Sequence, residues 1–287
     1  MYITKEEFIN LIKEENDVII TKVNKNGFIK TGISLNNNAN IRPQLYVEEF
    51  IDKIENEDDL IRIKREIIDT LEEETLSGEK INIESILNKE KILENVVLTV
   101  GKASAVDKNT FYDIDKNTPE IAKVYRVIID MDKKGIGSYK VTKELLNTTG
   151  ITEEEIREKA LENIKSEAKW MSMKEVLEDM CGMPIEDEIQ DVSMFVLSNN
   201  SKTNGAGQMY NTDVLKEIAN FCESKELYIL PSSIHELIII PSNISDQNPM
   251  ELREMVKEVN DTQVAEEDIL SYEIYLYNSE TETVRTY

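Results

Sequence analysis

Apolar positions recur along this chain with two different periods, and each period marks its own kind of element. Between residues 58 and 76, Leu60, Ile63, Ile67 and Leu71 fall on one helical stripe. The same spacing predicts a helix over residues 4–16, with Phe8, Leu11 and Ile12 inward, and another over 213–222, burying Val214, Leu215, Ile218 and Cys222. After Asn248-Pro249 the inward positions are Leu252, Met255, Val256 and Val259. Four pairs, Thr4/Glu7, Thr152/Glu155, Ser172/Glu175 and Asn248/Glu251, have the spacing at which each side chain satisfies the other residue's backbone N–H. The Thr152 helix is expected to bury Ile156, Ala160 and Ile164. The Ser172 helix is expected to bury Val176, Leu177 and Met180, and to stop at Gly182 ahead of Pro184. Residues 46–54 also read as helical.

Strand-like runs occupy the remainder. Residues 18–23 and 28–35 are joined through Asn26-Gly27, a dipeptide that accepts the positive φ values of a tight hairpin. Residues 41–45 carry Pro43, which suits an edge. A helix beginning near residue 83 gives way to the β-branched run VVLTV, and the polar stretch 102–119 is expected to hold a domain boundary. Further strands are expected over 123–132, 192–198, 227–230, 234–240 and 272–277, with 283–287 pairing back as a hairpin. These signals predict an α+β fold. Its parts are a helical and hairpin N-terminal region, 1–118, and a C-terminal domain, 119–287. The second is expected to be a mixed or antiparallel sheet with helices packed on one face.

A chain of 287 residues, 40% hydrophobic and 31% charged, has a soluble globular profile with a sizeable core. No apolar run approaches the roughly 18 residues of a membrane span. The opening MYITKEEF lacks a cationic stretch ahead of an apolar core, so a cytoplasmic location is expected. Cys181 and Cys222 lie on the apolar sides of their helices, as buried free thiols of a reducing compartment do. Charge changes the picture more. With 33 basic against 57 acidic side chains the formal net is −24, a field that opposes nucleic-acid phosphates and anionic lipid surfaces. The same excess allows mimicry of nucleic acid in a basic groove of a partner, although the acids are spread over many helix faces.

The candidate chemistry centres on LYILPSSIHELIIIP, residues 227–241, which holds the single histidine, His235. Ser233, His235 and Glu236, with Ser232 beside them, are the residue types of a nucleophile, base and orienting acid. In a regular strand Ser233 and His235 share a face and Glu236 does not. No G-x-S-x-G elbow surrounds the serines. The plainer reading has the serines closing a turn after Pro231 and His235 making a structural hydrogen bond. Gly205-Ala206-Gly207, with Lys202 as the loop's cation, lies where backbone N–H groups can cradle a phosphate. Tyr210 replaces the third fingerprint glycine, however, and Gln208 stands where a P-loop needs lysine. Tyr275 and Tyr277 share one face of the last long strand, either as cross-strand packing or as a surface for an added strand. Two calcium-loop patterns fail. The one beginning Asp130-Met131-Asp132 meets Lys134 and Val141, and Asp113-x-Asp115-x-Asn117 meets Thr118 and Val124. With one histidine and two distant cysteines, neither metal nor cofactor is expected.

FVLSNNSKTNGAGQMY, LYILPSSIHELIIIP, the following helix ending in EVN, and the earlier ITEEEIREKALENI together resemble a bacterial family of uncharacterised proteins, the domain of unknown function 5688. The resemblance is strongest over about 124–277. In the N-terminal part only IRPQLYVEEF matches the family's proline-then-tyrosine segment, and 102–119 departs from the pattern. The resemblance implies an intact fold and assigns no catalytic residue. The expected role is therefore protein binding or regulation without catalysis, with another protein as partner and neither nucleic acid nor membrane bound directly. A hydrolase using Ser233 and His235 is the alternative, and a nucleic-acid-mimicking inhibitor of a basic partner is the third reading.

Overall fold

The computed structural model describes residues 3–38, 42–78, 83–132, 135–183, 194–243 and 248–287. The chain divides into two compact units, residues 1–88 and 89–287. The first opens with α1 (Lys5–Glu15), where Thr4 and Glu7 form the expected capping box and the hydrogen bonds to Thr4 hold the Glu7 carboxyl below its usual range. Next come β1 (Val18–Lys25) and β2 (Phe28–Leu35), a hairpin closed by Asn26 at φ 49° and Gly27 at φ 97°. Two central residues with positive φ make the turn whose twist matches that of the strands. β3 (Leu45–Tyr46) adds to β2 as the other edge of this three-stranded sheet. The segment expected to be helical over 46–54 forms two short 3₁₀ turns instead, Val47–Glu49 and Ile51–Lys53. Tertiary bonds outweigh its local helical pattern. Both oxygens of Glu48 accept from the Thr31 amide, at 3.0 and 3.1 Å, and Lys5 Nζ donates to the same carboxylate at 2.8 Å. α2 (Glu57–Gly78) buries Ile63, Ile67 and Leu71 against Phe8, Ile12, Ile33 and Val47, with Leu60 partly buried. α3 (Ile83–Ile86) follows.

The second unit starts with α4 (Lys89–Asn95), which passes into β4 (Val96–Lys102) at the β-branched run. β5 (Tyr112–Ile114), β6 (Ile121–Asp132) and β7 (Gly135–Lys140) complete a four-stranded antiparallel sheet in which β4, β5 and β7 all pair with β6. The boundary expected within 102–119 therefore lies inside this unit, and the division falls between Asn88 and Lys89. β4 runs alongside β6 from Val96↔Val127 to Lys102↔Ile121. The polar residues that suggested a linker close local turns, with Asp107 accepting from the Asn109 amide and Asp115 from the Asn117 amide. α5 (Lys143–Thr149) and α6 (Glu153–Lys165) follow, and α6 buries Ile156, Ala160 and Ile164 in a cluster with Val96, Leu98, Tyr125 and Val127.

A six-stranded antiparallel sheet forms the remainder, from β8 (Ala168–Ser172), β9 (Phe195–Asn199), β10 (Glu226–Pro231), β11 (Leu237–Pro241), β12 (Tyr275–Asn278) and β13 (Thr283–Thr286), in the order β13-β12-β10-β11-β9-β8. Between strands come α7 (Met173–Cys181), α8 (Thr212–Phe221) and α9 (Pro249–Gln263). Alternation along β10 sends Leu227 and Ile229 toward Val214, Leu215 and Ile218 of α8, while Tyr228 and Leu230 meet Leu252 and Val256 of α9. Helices thus cover both faces, not one. The central strands LYIL and LIII are apolar on both sides, so each side requires a cover.

Two further expectations change at α7. Its capping box and its left-handed stop at Gly182 form, but Met180 is 79% exposed where burial was expected. Cys181 is exposed and Cys222 only partly buried, both as free thiols, and burial raises the Cys222 pKa. Ile41, Lys133, Lys134, Pro184, Val192 and the side chains of Asp130 and Asp132 lie outside the described residues.

Candidate functional site

β10 and β11 pair up to Pro231↔Leu237, so residues 232–236 form the loop of this hairpin. His235 and Glu236 belong to that loop and not to a strand, which corrects the face assignment made for them. Local bonds shape the loop: the Ser233 amide donates to Glu236 O at 3.3 Å, and Ser233 Oγ accepts from the His235 amide at 3.0 Å.

Three other segments converge on it. A 3₁₀ turn, Gly205–Tyr210, donates Gly205 N to His235 O at 3.0 Å and Ala206 N to Ile234 O at 3.2 Å. Ser198 Oγ, on β9, donates to the same His235 carbonyl at 2.8 Å. From the segment after α9, Asp268 O accepts the Ile234 amide at 2.8 Å, and its carboxylate lies 3.4 Å from His235 Nε2. The remaining ring nitrogen, Nδ1, accepts the Asn204 amide at 3.0 Å. An accepting Nδ1 places the neutral ring's proton on Nε2, facing Asp268.

Ser233, His235 and Glu236 are therefore neighbours, but their side chains face other partners. Both ring nitrogens of His235 face Asn204 and Asp268, Ser233 bonds to backbone, and Glu236 Oε1 accepts from Ser232 Oγ at 3.4 Å. The arrangement clasps four segments together. His235→Ala is expected to destabilise by about 1–3 kcal/mol, because the Asn204 amide loses its acceptor. Urea unfolding measures this, and ¹⁵N NMR of the wild-type ring should show Nδ1 unprotonated. A protonated Nδ1 in neutral solution would contradict the clasp.

The glycine turn has the same structural character. Its first two amides, those of Gly205 and Ala206, donate to carbonyls of the hairpin loop. A Cβ at Gly205 would lie 2.7 Å from His235 O, and one at Gly207 would lie 2.3 Å from Leu98 O on β4. Glycine is needed here for close backbone approach. Lys202 is exposed at φ 55°. The turn continues into a buried polar chain: Gln208 Nε2 donates to Ile164 O, and Asn211 Nδ2 donates to Gln208 Oε1, both at 2.8 Å. Tyr210 bonds to Thr118 Oγ1 at 2.7 Å beneath the Lys123 ammonium.

Tyr275 and Tyr277 are fully buried in the core with Leu227, Ile229 and Ile218. Tyr275 donates to Ser271 Oγ at 2.8 Å, and burial pushes both phenols up, that of Tyr277 to about 12. β12 has β10 on one side and β13 on the other, so no strand can add there. Asp113 of the failed calcium loop accepts Arg157 at 2.8 and 2.9 Å and Tyr125 OH at 2.6 Å.

An exposed aromatic of this unit lies elsewhere, at the β8 edge. Trp170, Phe195 and Phe221 form an aromatic cluster with centroid separations of 5.2–6.0 Å, and Phe221 is 68% exposed. Sequence patterning gave no sign of this cluster, because its rings come from β8, β9 and the end of α8.

Fold and site together define an α+β protein with a clasped hairpin loop and an exposed aromatic edge. The chain belongs to a family of unknown function, DUF5688, whose model matches residues 2–279. The match takes in the N-terminal unit, where the resemblance seen in the sequence was looser. No curated protein and no solved structure matches the chain. Among the described residues, no helix is long and apolar enough to cross a membrane.

Proposed function

We propose that this protein works by binding another protein and performs no catalysis of its own. The observation that carries this reading is Phe221, a large aromatic left 68% exposed beside Trp170 and Phe195 at a sheet edge. Of the three rings Phe221 is the exposed one, with Trp170 half-buried beside it and Phe195 buried beneath, and a large aromatic left in solvent on such a base suits an interaction site. The groups that suggested a hydrolase are engaged in holding the hairpin loop. The net charge of −24 disfavours nucleic acid and anionic membranes as direct targets and favours a basic partner.

A photo-crosslinking residue at position 221 tests the reading in cells. It should give one discrete protein adduct, absent when the crosslinker replaces exposed Lys143 and reduced by Trp170→Ser. Identical adducts from both positions would overturn the binding role. Stoichiometric fluorophosphonate labelling of Ser233, lost in His235→Ala, would establish the hydrolase instead.

A further inference from the structure

Strand β8 is an edge whose free backbone can be identified residue by residue. It pairs with β9 from Ala168↔Asn199 to Ser172↔Phe195, and the ladder is extended at both ends by Asn200 N→Glu167 O at 3.0 Å and Met173 N→Met194 O at 2.9 Å. In an antiparallel pair, bonded and non-bonded residue pairs alternate. With Glu167 and Met173 in bonded pairs, Lys169 and Met171 also bond to β9. Ala168, Trp170 and Ser172 must then turn their backbone groups away from the sheet. Ser172 N–H caps α7 by donating to Glu175 at 2.8 Å. The edge therefore offers N–H and C=O of Ala168, N–H and C=O of Trp170, and C=O of Ser172. Among the described residues no strand pairs with this side. Neither proline nor a bulge, two common devices against edge pairing, occurs in β8.

The surroundings specify the occupant. Trp170 lies on the α8 side of the sheet, against Phe221, and its Nε1 donates to Glu217 at 3.1 Å. Glu167 stands before the strand and Glu175 after it, while Lys169, the strand's cation, alternates to the opposite face. An incoming strand on this edge meets the aromatic platform and the negative charge of Glu167, Glu175 and Glu217, whose oxygens already accept from Asn200, Ser172 and Trp170 and keep their charge. A second copy of the chain would bring like carboxylates and another net −24 against them, which opposes self-pairing. We infer that β8 docks an extended segment of a partner protein by strand addition, and that this segment is basic with alternate apolar side chains. The inference rests on the binding role proposed above and names the strand and the partner chemistry.

The test uses the full chain and a fluorescein-labelled peptide of about ten residues in which lysine and arginine alternate with valine and tyrosine, a length matching ordinary strands. Saturable binding that weakens with added salt is expected. Ala168→Pro should weaken it by about tenfold or more, since the proline removes an outward N–H while sparing the β9 ladder. Phe221→Ser removes the platform from an exposed position and should weaken binding without altering the melting curve. By hydrogen exchange, the Ala168 and Trp170 amides should exchange fast in the free protein and slow on adding peptide, with Lys169 and Met171 protected throughout.

Four results would overturn the inference. They are equal binding of a peptide N-methylated at alternate residues, equal binding of a glutamate version, protection of Ala168 and Trp170 in the free monomer, or a dimer in sedimentation that Ala168→Pro dissolves. Failure of peptide binding alongside a discrete adduct from position 221 rejects strand addition and leaves the binding role standing. Failure of both rejects both.

Discussion

Gly207→Ala is expected to cost about 3 kcal/mol of stability, at the upper end for overpacking a close contact. The added Cβ would lie 2.3 Å from Leu98 O and 3.1 Å from Leu98 C, both backbone atoms of β4, so no side-chain rotation relieves it. Gly207 is not among the glycines of positive φ, and the cost is therefore one of space alone. Either β4 shifts against β6 or the turn lifts from the hairpin loop, breaking the Gly205 and Ala206 bonds to His235 and Ile234. Urea unfolding should show a lower midpoint with an unchanged slope. A midpoint equal to that of the wild type would mean that the turn does not rest on β4. A phosphate cradle predicts a different pattern, in which ligand binding is lost and stability kept.

Tyr275→Ala should be costlier still, at about 3–5 kcal/mol, the range for emptying a buried aromatic site. Tyr275→Phe keeps the ring and removes the bond to Ser271, so about 1 kcal/mol is expected. The pair of variants separates packing from recognition, since a tyrosine held for a partner tolerates alanine in the free protein. Thermal melts of both variants decide it, and a Tyr275→Ala melt within a degree or two of wild type would contradict the burial described here.

The parts of this fold that can be read from sequence are those encoded within one turn of chain. All four capping boxes form, because each needs only its own few residues. Asn26-Gly27 identified its hairpin for the same reason. β8 could not be read: AKWMS has no two-residue alternation, and its strand character comes from β9. His235 illustrates the limit at the site. The carboxylate near its Nε2 belongs to an aspartate in an unremarkable acidic stretch, and its hydrogen-bond partner at Nδ1 is a backbone amide 31 residues upstream, which no side chain advertises. The glycines of the 205–207 stretch read in the sequence as a flexible turn or a phosphate cradle, and the carbonyl of Leu98 that requires one of them is visible only in three dimensions. The polar stretch 102–119 reads as a linker because turn-closing polar residues and linker residues have the same composition, whereas the compact units part between Asn88 and Lys89.

The Gly205–Tyr210 turn also has a consequence for how the second unit opens. One end lies on the hairpin loop of the six-stranded sheet, its middle on β4 of the four-stranded sheet, and Gln208 bonds to the end of α6. Val100 and Ile121 of the smaller sheet share a core with Leu197, Leu237 and Tyr275 of the larger. Parting the turn from α6 leaves Gln208, 2% exposed, without its bond to Ile164 O, and parting it from the hairpin loop breaks the Gly205 and Ala206 bonds to His235 and Ile234. Partial unfolding is therefore penalised at the junction, and the two sheets are expected to melt as one cooperative block.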